Sequence, residues 1–310
     1  MVGAAMLVLM KIQRREFVKR SALGLGGILA GVPLARAAET KPAFFDPYET
    51  VSLGQTKIKL SRVCQGTGMS GAMRQSNHTR MGKEKLEALL HGGYERGIRT
   101  YDLADLYGTH PYLLPALKGI PRDKITIITK GWPHQGSLPE KERPPVDVTV
   151  ARFLKEIGTD YLDLVLLHCA SSPKWTEEWR PQMDGLAKLK EKGLIRAHGV
   201  SCHSVAALEA AAADPWVDSV HARINPFGIR MDDKPEKVVP VLKKLHEAGK
   251  GVVGMKIIGE GQFRNAPEKR DESAKFVLDL GCVDVLNVGF EKIEEIDDFA
   301  GRVKKVSRPA

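Results

Sequence analysis

The chain has 310 residues and a formal net charge of +9. No basic run is interleaved with aromatic residues, so nucleic acid is not an expected partner. Its four cysteines show no C-x-x-C spacing, which leaves a zinc or iron–sulfur centre without ligands, and no metal site is expected.

The first segment reads as an export signal. Gln13-Arg14-Arg15-Glu16-Phe17-Val18-Lys19 is a twin-arginine pattern, and Ala35-Arg36-Ala37 offers an A-x-A cleavage site. The glycine-rich apolar stretch between them is too short to span a bilayer well. Residues 1–37 are therefore expected to be a signal peptide, with Met10 a reasonable initiator. A mature domain of residues 38–310 would be delivered folded to the periplasm by the twin-arginine translocation machinery, with no stable membrane span. Loss of 1–37 removes six Lys/Arg and one acid and lowers the net charge to +4. Cys64, Cys169, Cys202 and Cys282 lie on or beside strand ends and are expected as free, buried thiols.

After an extended stretch, residues 49–63 read as a hairpin running into a strand. From there the chain alternates. Strands are predicted near 61–65, 98–102, 125–129, 162–167, 195–199, 217–224, 251–256 and 283–287. Helices are predicted at 82–96, 111–118, 147–157, 176–192, 204–213, 235–248, 271–280 and 293–304. Eight strands alternating with eight helices predict an α/β fold, a closed (β/α)8 TIM barrel with an N-terminal hairpin, in a single domain. In the 235–248 helix Val238, Val241, Leu242 and Leu245 share one face, as the outer ring of a barrel requires.

Three apolar runs end on an ionisable side chain: Asp102, Lys130 and His168. A charge at the carboxyl end of a buried strand is costly unless it faces a cleft, and in barrels that end is where ligands sit. Tyr107 follows Asp102 by five residues. A tyrosine donates its proton readily only if its pKa falls from about 10 toward neutrality, and a neighbouring Lys130 ammonium, oriented by Asp102, would bring that about. His168 could donate Nε2–H to a carbonyl oxygen. Gly66-Thr67-Gly68-Met69-Ser70-Gly71 fits G-x-G-x-x-G, yet it opens no helix, the next one starting near Met81. It reads as a glycine-rich loop at the barrel mouth rather than a Rossmann turn.

These residues, in this order, resemble the aldo-keto reductase superfamily. GIRTYDLADLYG is similar to its G-I-x-x-x-D-x-A-x-x-Y-G signature, TIITKGW to its lysine strand and GTDYLDLVLLH to its histidine strand. The likeness runs on through LIRAHGVS, VDSVHARINPF, GVVGMK and VDVLNVGF. The resemblance implies a nicotinamide-dependent oxidoreductase that interconverts a carbonyl compound and an alcohol. Asp102, Tyr107, Lys130 and His168 would be its catalytic tetrad, and Tyr107 its general acid/base. NADP or NAD would bind in extended form, tightly held, along Gly68, Met69, Ser201, Cys202, His221, Met255, Lys256, Gly289 and Lys292. Cys202, His221 and Met255-Lys256 replace the residues common at those places. Glu291, Glu294 and Glu295 oppose a 2′-phosphate with only Lys292 against them, which makes NAD credible. Tyr112 and Trp132 are expected as an aromatic wall for an aldehyde, ketone or sugar-like substrate, with Trp175 and Trp179 beyond strand 4.

Two readings from other classes stand beside this one. The barrel could be a cofactor-binding or sensing protein with little turnover, or a lyase or isomerase using Lys130 as a Schiff base.

Overall fold

The computed structural model describes residues 43–309, so the export segment lies outside the described residues. Strands β1 (Thr50–Ser52) and β2 (Lys59–Ser61) pair antiparallel as the expected hairpin. The barrel strands are β3 (Val63–Gly66), β4 (Thr100–Asp102), β5 (Thr126–Gly131), β6 (Leu162–Ala170), β7 (Ile195–Cys202), β8 (Ser219–Arg223), β9 (Gly251–Met255) and β10 (Val285–Val288). Each is parallel to its neighbours, and β10 closes on β3. The helices are α1 (Asn77–Arg80), α2 (Lys83–Arg96), α3 (His110–Ala116), α4 (Val146–Ile157), α5 (Trp175–Glu178), α6 (Arg180–Glu191), α7 (Val205–Ala213), α8 (Pro235–Glu247), α9 (Pro267–Asp279) and α10 (Ile293–Val303). Two details differ from expectation. The short α1 precedes Met81, capped by the Ser76 side chain, and the 176–192 helix is two pieces that meet at Trp179. Pro181 fits there because the first turn of a helix needs no N–H from it.

Burial follows strand alternation. One face of each strand looks into the barrel and the other toward the helices. The hairpin plugs the amino-terminal end, where Leu53, Ile58 and Leu60 join Cys64, Ile128, Leu164, Leu166, Ala197, Val253 and Val285 in one cluster. Gly54 makes this closure possible. Its φ is +48°, and a Cβ would lie 2.4 Å from the backbone nitrogen of Gly251. A second, larger layer lies between strands and helices, and Val238, Val241, Leu242 and Leu245 of α8 are buried in it as expected. All four cysteines are free; Cys64, Cys202 and Cys282 are buried and Cys169 is half-buried. No helix among the described residues is long and apolar enough to cross a membrane.

With the floor sealed, polar side chains of the inner face collect at the carboxyl ends of the strands. Asp102 ends β4, Lys130 lies near the end of β5 and His168 near the end of β6. Beyond His168 the pairing of β6 with β7 shifts register between Leu167 and Ala170, and Cys169 within that bulge takes a φ of +66°.

Candidate active site

Tyr107 sits in a single 3-10 turn, Asp105–Tyr107, directly after β4. The buried Asp105 anchors the turn, bonded by Arg74 Nε at 2.8 Å and Arg152 at 2.6 Å. Above the phenol the glycine-rich loop passes so closely that a Cβ on Gly68 would fall 2.2 Å from the ring carbon Cζ. That loop therefore seats the tyrosine. The Tyr107 hydroxyl lies 3.3 Å from His168 Nε2, and the Lys130 ammonium lies 5.1 Å from the centre of the Tyr107 ring.

Lys130 is almost fully buried. Its Nζ donates to Asp102 Oδ1 at 2.5 Å and to the Leu103 carbonyl at 3.0 Å. Asp102 also accepts from His221 Nε2 at 3.2 Å and from Asn287 Nδ2 at 2.7 Å. Burial alone would raise the Asp102 pKa, but Lys130 and His221 outweigh it and hold the carboxyl ionised far below the ordinary range. Burial, followed by the Lys130 charge, pushes the His168 pKa well down, so its imidazole is neutral at pH 7. Burial, against the pull of Asp102, also lowers that of His221.

One electrostatic expectation is reversed. Burial, then the negative charge of Asp102, pushes the Tyr107 pKa well above its usual value rather than toward neutrality. Burial disfavours the charged phenolate, and the carboxylate of Asp102, to which Lys130 is tied, adds to that. Tyr107 is thus held as a neutral proton donor.

Of the nine residues expected along a cofactor, five line one cavity with Asp102 and Tyr107: Gly68, Met69, Met255, Lys256 and Gly289. An adjoining cavity shares Met69 and Gly289 and continues to Arg264, Arg270, Glu294 and Glu295, so the two make an elongated groove. Ser201 accepts from the Cys169 N–H at 2.9 Å, inside the register shift. His221 is fully buried and spends Nε2 on Asp102, leaving Nδ1 unpartnered. Cys202 is not brought to the groove. As the neighbour of inward-facing Ser201 it faces outward, into the layer beneath the helices. Lys292 lies outside the groove, in a neighbouring depression with Arg80 and Lys85 that meets it at Glu294.

Trp132 packs edge-on against His168, ring centres 5.5 Å apart, and borders a second cavity under the 132–146 loop. Tyr112 instead packs from α3 on the outer hydrophobic layer and lines neither the cavity at Tyr107 nor the one at Trp132. Trp175 is a core residue whose indole N–H is bonded to the Ala207 carbonyl at 3.1 Å, while Trp179 contacts His134. Sequence reasoning missed Asn287 and Arg264. A lone asparagine in the apolar run Val285–Val288 was the available signal for the first. The second lies in a loop without a pattern to mark it.

A family model described as Aldo/keto reductase family matches residues 63–303. "Probable aldo-keto reductase 1" of Glycine max is 28% identical over 227 residues, covering 69% of this chain and 61% of that protein. "Glyoxal reductase" of Bacillus subtilis (strain 168) is 31% identical over 158 residues, covering 47% of this chain and 51% of that protein. The matched part of the chain thus spans about half the length of these curated relatives. Among solved structures, an aldo-keto reductase from Bacillus halodurans, in its holo form, superposes with a TM-score of 0.68 at 18% identity. That likeness covers 85% of this chain and 93% of the other, and it concerns the fold.

Proposed function

The chain belongs to the aldo/keto reductase family, and from that membership we propose that it interconverts a small carbonyl compound and its alcohol, with Tyr107 as the proton-transferring residue. The observation that carries the reading is the Tyr107 hydroxyl, 3.3 Å from a neutral His168, beside the buried Lys130–Asp102 pair at the cavity floor. A nicotinamide nucleotide supplies hydride when bound, and the groove from Tyr107 to Arg264 suits an extended molecule held by Gly68, Met69, Met255, Lys256 and Gly289.

In the reductive direction His168 donates Nε2–H to the carbonyl oxygen and fixes it next to the phenol. As negative charge develops on that oxygen, Tyr107 hands over its proton and the oxygen becomes a hydroxyl. The Lys130 ammonium under the ring offsets the charge left on the phenolate, and ionised Asp102 keeps Lys130 there. Alcohol oxidation reverses each transfer. The buried ion pair speaks against Lys130 as a Schiff-base nucleophile, because its amine is tied to Asp102 and to a carbonyl.

The adenosine end of the groove favours NAD over NADP in this reading. Glu294, Glu295 and Asp298 line it, and its two cations are already paired, Arg264 with Glu291 at 2.7 Å and Arg270 with Asp298 at 3.1 Å. A 2′-phosphate there meets more acid than available cation. Matched titrations with NADH and NADPH test this, and much tighter NADPH binding rejects it. The substrate class proposed is small aldehydes, ketones or sugar-like carbonyl compounds, in line with the name of the Bacillus subtilis relative.

We also propose that residues 1–37 direct folded export to the periplasm, with the nucleotide loaded beforehand and tightly retained. Native mass spectrometry of the purified protein tests retention, and cell fractionation of the full chain with Arg14→Lys and Arg15→Lys tests export. The principal experiment is a panel of aldehydes and ketones assayed with both reduced nucleotides. Absence of turnover in a nucleotide-binding preparation returns the reading to a binding or sensing protein.

A further inference from the structure

Asn287 is the one polar side chain of β10, a strand otherwise made of Val285, Leu286 and Val288. It faces the barrel interior and lines the same cavity as Asp102 and Tyr107. Strands β10 and β4 are not neighbours, since β3 runs between them. Even so, Asn287 Nδ2 reaches Asp102 Oδ2 at 2.7 Å. The passage exists because the residue of β3 in register with Asp102 is Gly66. A Cβ on Gly66 would lie 2.7 Å from Asn287 Oδ1, tighter than real Cβ contacts.

The bonding at Asp102 divides its two oxygens. Oδ1 takes Lys130 and His221, and Oδ2 takes Asn287. An ionised carboxylate only accepts, so the amide must present its NH2 to it, which fixes the amide's orientation. The other end, Oδ1, is buried without a partner against Gly66. An unpaired buried acceptor is a cost that a leucine at this position would not carry. The gain on the other side is a carboxylate that cannot turn: with Oδ2 held from β10, Oδ1 stays aimed at the Lys130 amine beneath the Tyr107 ring.

We infer that Asn287, admitted past Gly66, is a positioning residue of the proton-transfer site, which it serves by locking the rotation of Asp102 and so the place of Lys130. This rests on the oxidoreductase reading above. It acts through Asp102 and has no contact with the reacting atoms.

The test is a double-variant cycle of Asn287→Leu and Asp102→Asn, assayed with NADH and NADPH on a panel of small aldehydes. Asn287→Leu is expected to lower kcat about tenfold to a hundredfold, the scale of a small misplacement of catalytic groups. The aldehyde KM should stay within about twofold, since the amide acts through Asp102 and not on the aldehyde. Because Asn287 lines the nucleotide groove, kcat is compared at saturating nucleotide. In the Asp102→Asn background the same change should cost less than about twofold, because the carboxylate it orients is gone. Gly66→Ala, which pushes on the amide from β3, should give the same split between kcat and KM, and it serves if Asn287→Leu does not fold. An active wild type whose Asn287→Leu variant keeps full kcat overturns the role, as do equal losses in both backgrounds. A wild type that binds nucleotide but turns over nothing on the panel overturns the functional reading itself, and this role with it.

Discussion

Gly68 and Tyr107 occupy space that only a glycine leaves open: a Cβ on residue 68 would stand 2.2 Å from Cζ and 2.3 Å from Cε2 of the phenol ring. Gly68→Ala therefore has to move the tyrosine, while the barrel beneath is untouched. The expected result is a kcat lowered about a hundredfold with an unchanged far-ultraviolet circular dichroism spectrum.

Tyr107→Phe removes the proton donor and leaves the ring that fills the space under Gly68 and Gly71. Turnover should fall by about 10²–10⁴ or more, while nucleotide affinity, followed by fluorescence titration, stays close to wild type. Full activity in this variant removes Tyr107 from the mechanism.

The raised pKa of Tyr107 sets opposite pH dependences for the two directions. Carbonyl reduction needs the neutral phenol, which persists through neutrality, so its kcat should be level up to a pH above about 10. Alcohol oxidation needs the phenolate and should rise with pH across the same range. A reduction rate that declines between pH 7 and 8 would show that the phenol is more acidic than its surroundings dictate.

Acid should destabilise the barrel early. Burial lowers the pKa values of His168 and His221, burial with the nearby Arg223 charge brings His203 to about 3, and burial brings His198 to about 4. Between those values and the ordinary histidine value of about 6.5 the unfolded chain binds more protons. Stability is thus complete above about 6.5 and declines as the pH drops toward 3. Asp102 acts further down. Its folded pKa lies below that of the unfolded chain, so its contribution is full above about 3.9 and is lost as the pH falls through its lower native value. Urea melts at pH 7 and pH 4.5 should show the lower stability at pH 4.5.

Cys169 holds a φ of +66° in the bulge after His168, a backbone region that favours glycine. Cys169→Gly should raise stability by about 1 kcal/mol and Cys169→Ala should not. Thermal melts of the two variants compare them directly.

The barrel was legible because its strands are apolar runs that alternate with amphipathic helices, and the predicted strands overlap the observed ones. Asp102, Lys130 and His168 were legible for a related reason: each breaks an apolar run at the rim, where charge is expensive. Alternation within a strand carried more than was taken from it. With Ser201 facing in, Cys202 had to face out, and with Val285 in the floor, Asn287 had to face the site. Tyr112 went astray because α3 is only seven residues long and contains Pro115, too short to declare which face is inward. The direction of the Tyr107 shift was not legible, since it depends on how deeply the phenol is buried and how near it lies to the Asp102 carboxylate, and no spacing records that.

The plug of Leu53, Ile58 and Leu60 makes the barrel a well with one mouth. Whatever lies deepest in such a well can be covered by a later arrival and can leave only after it.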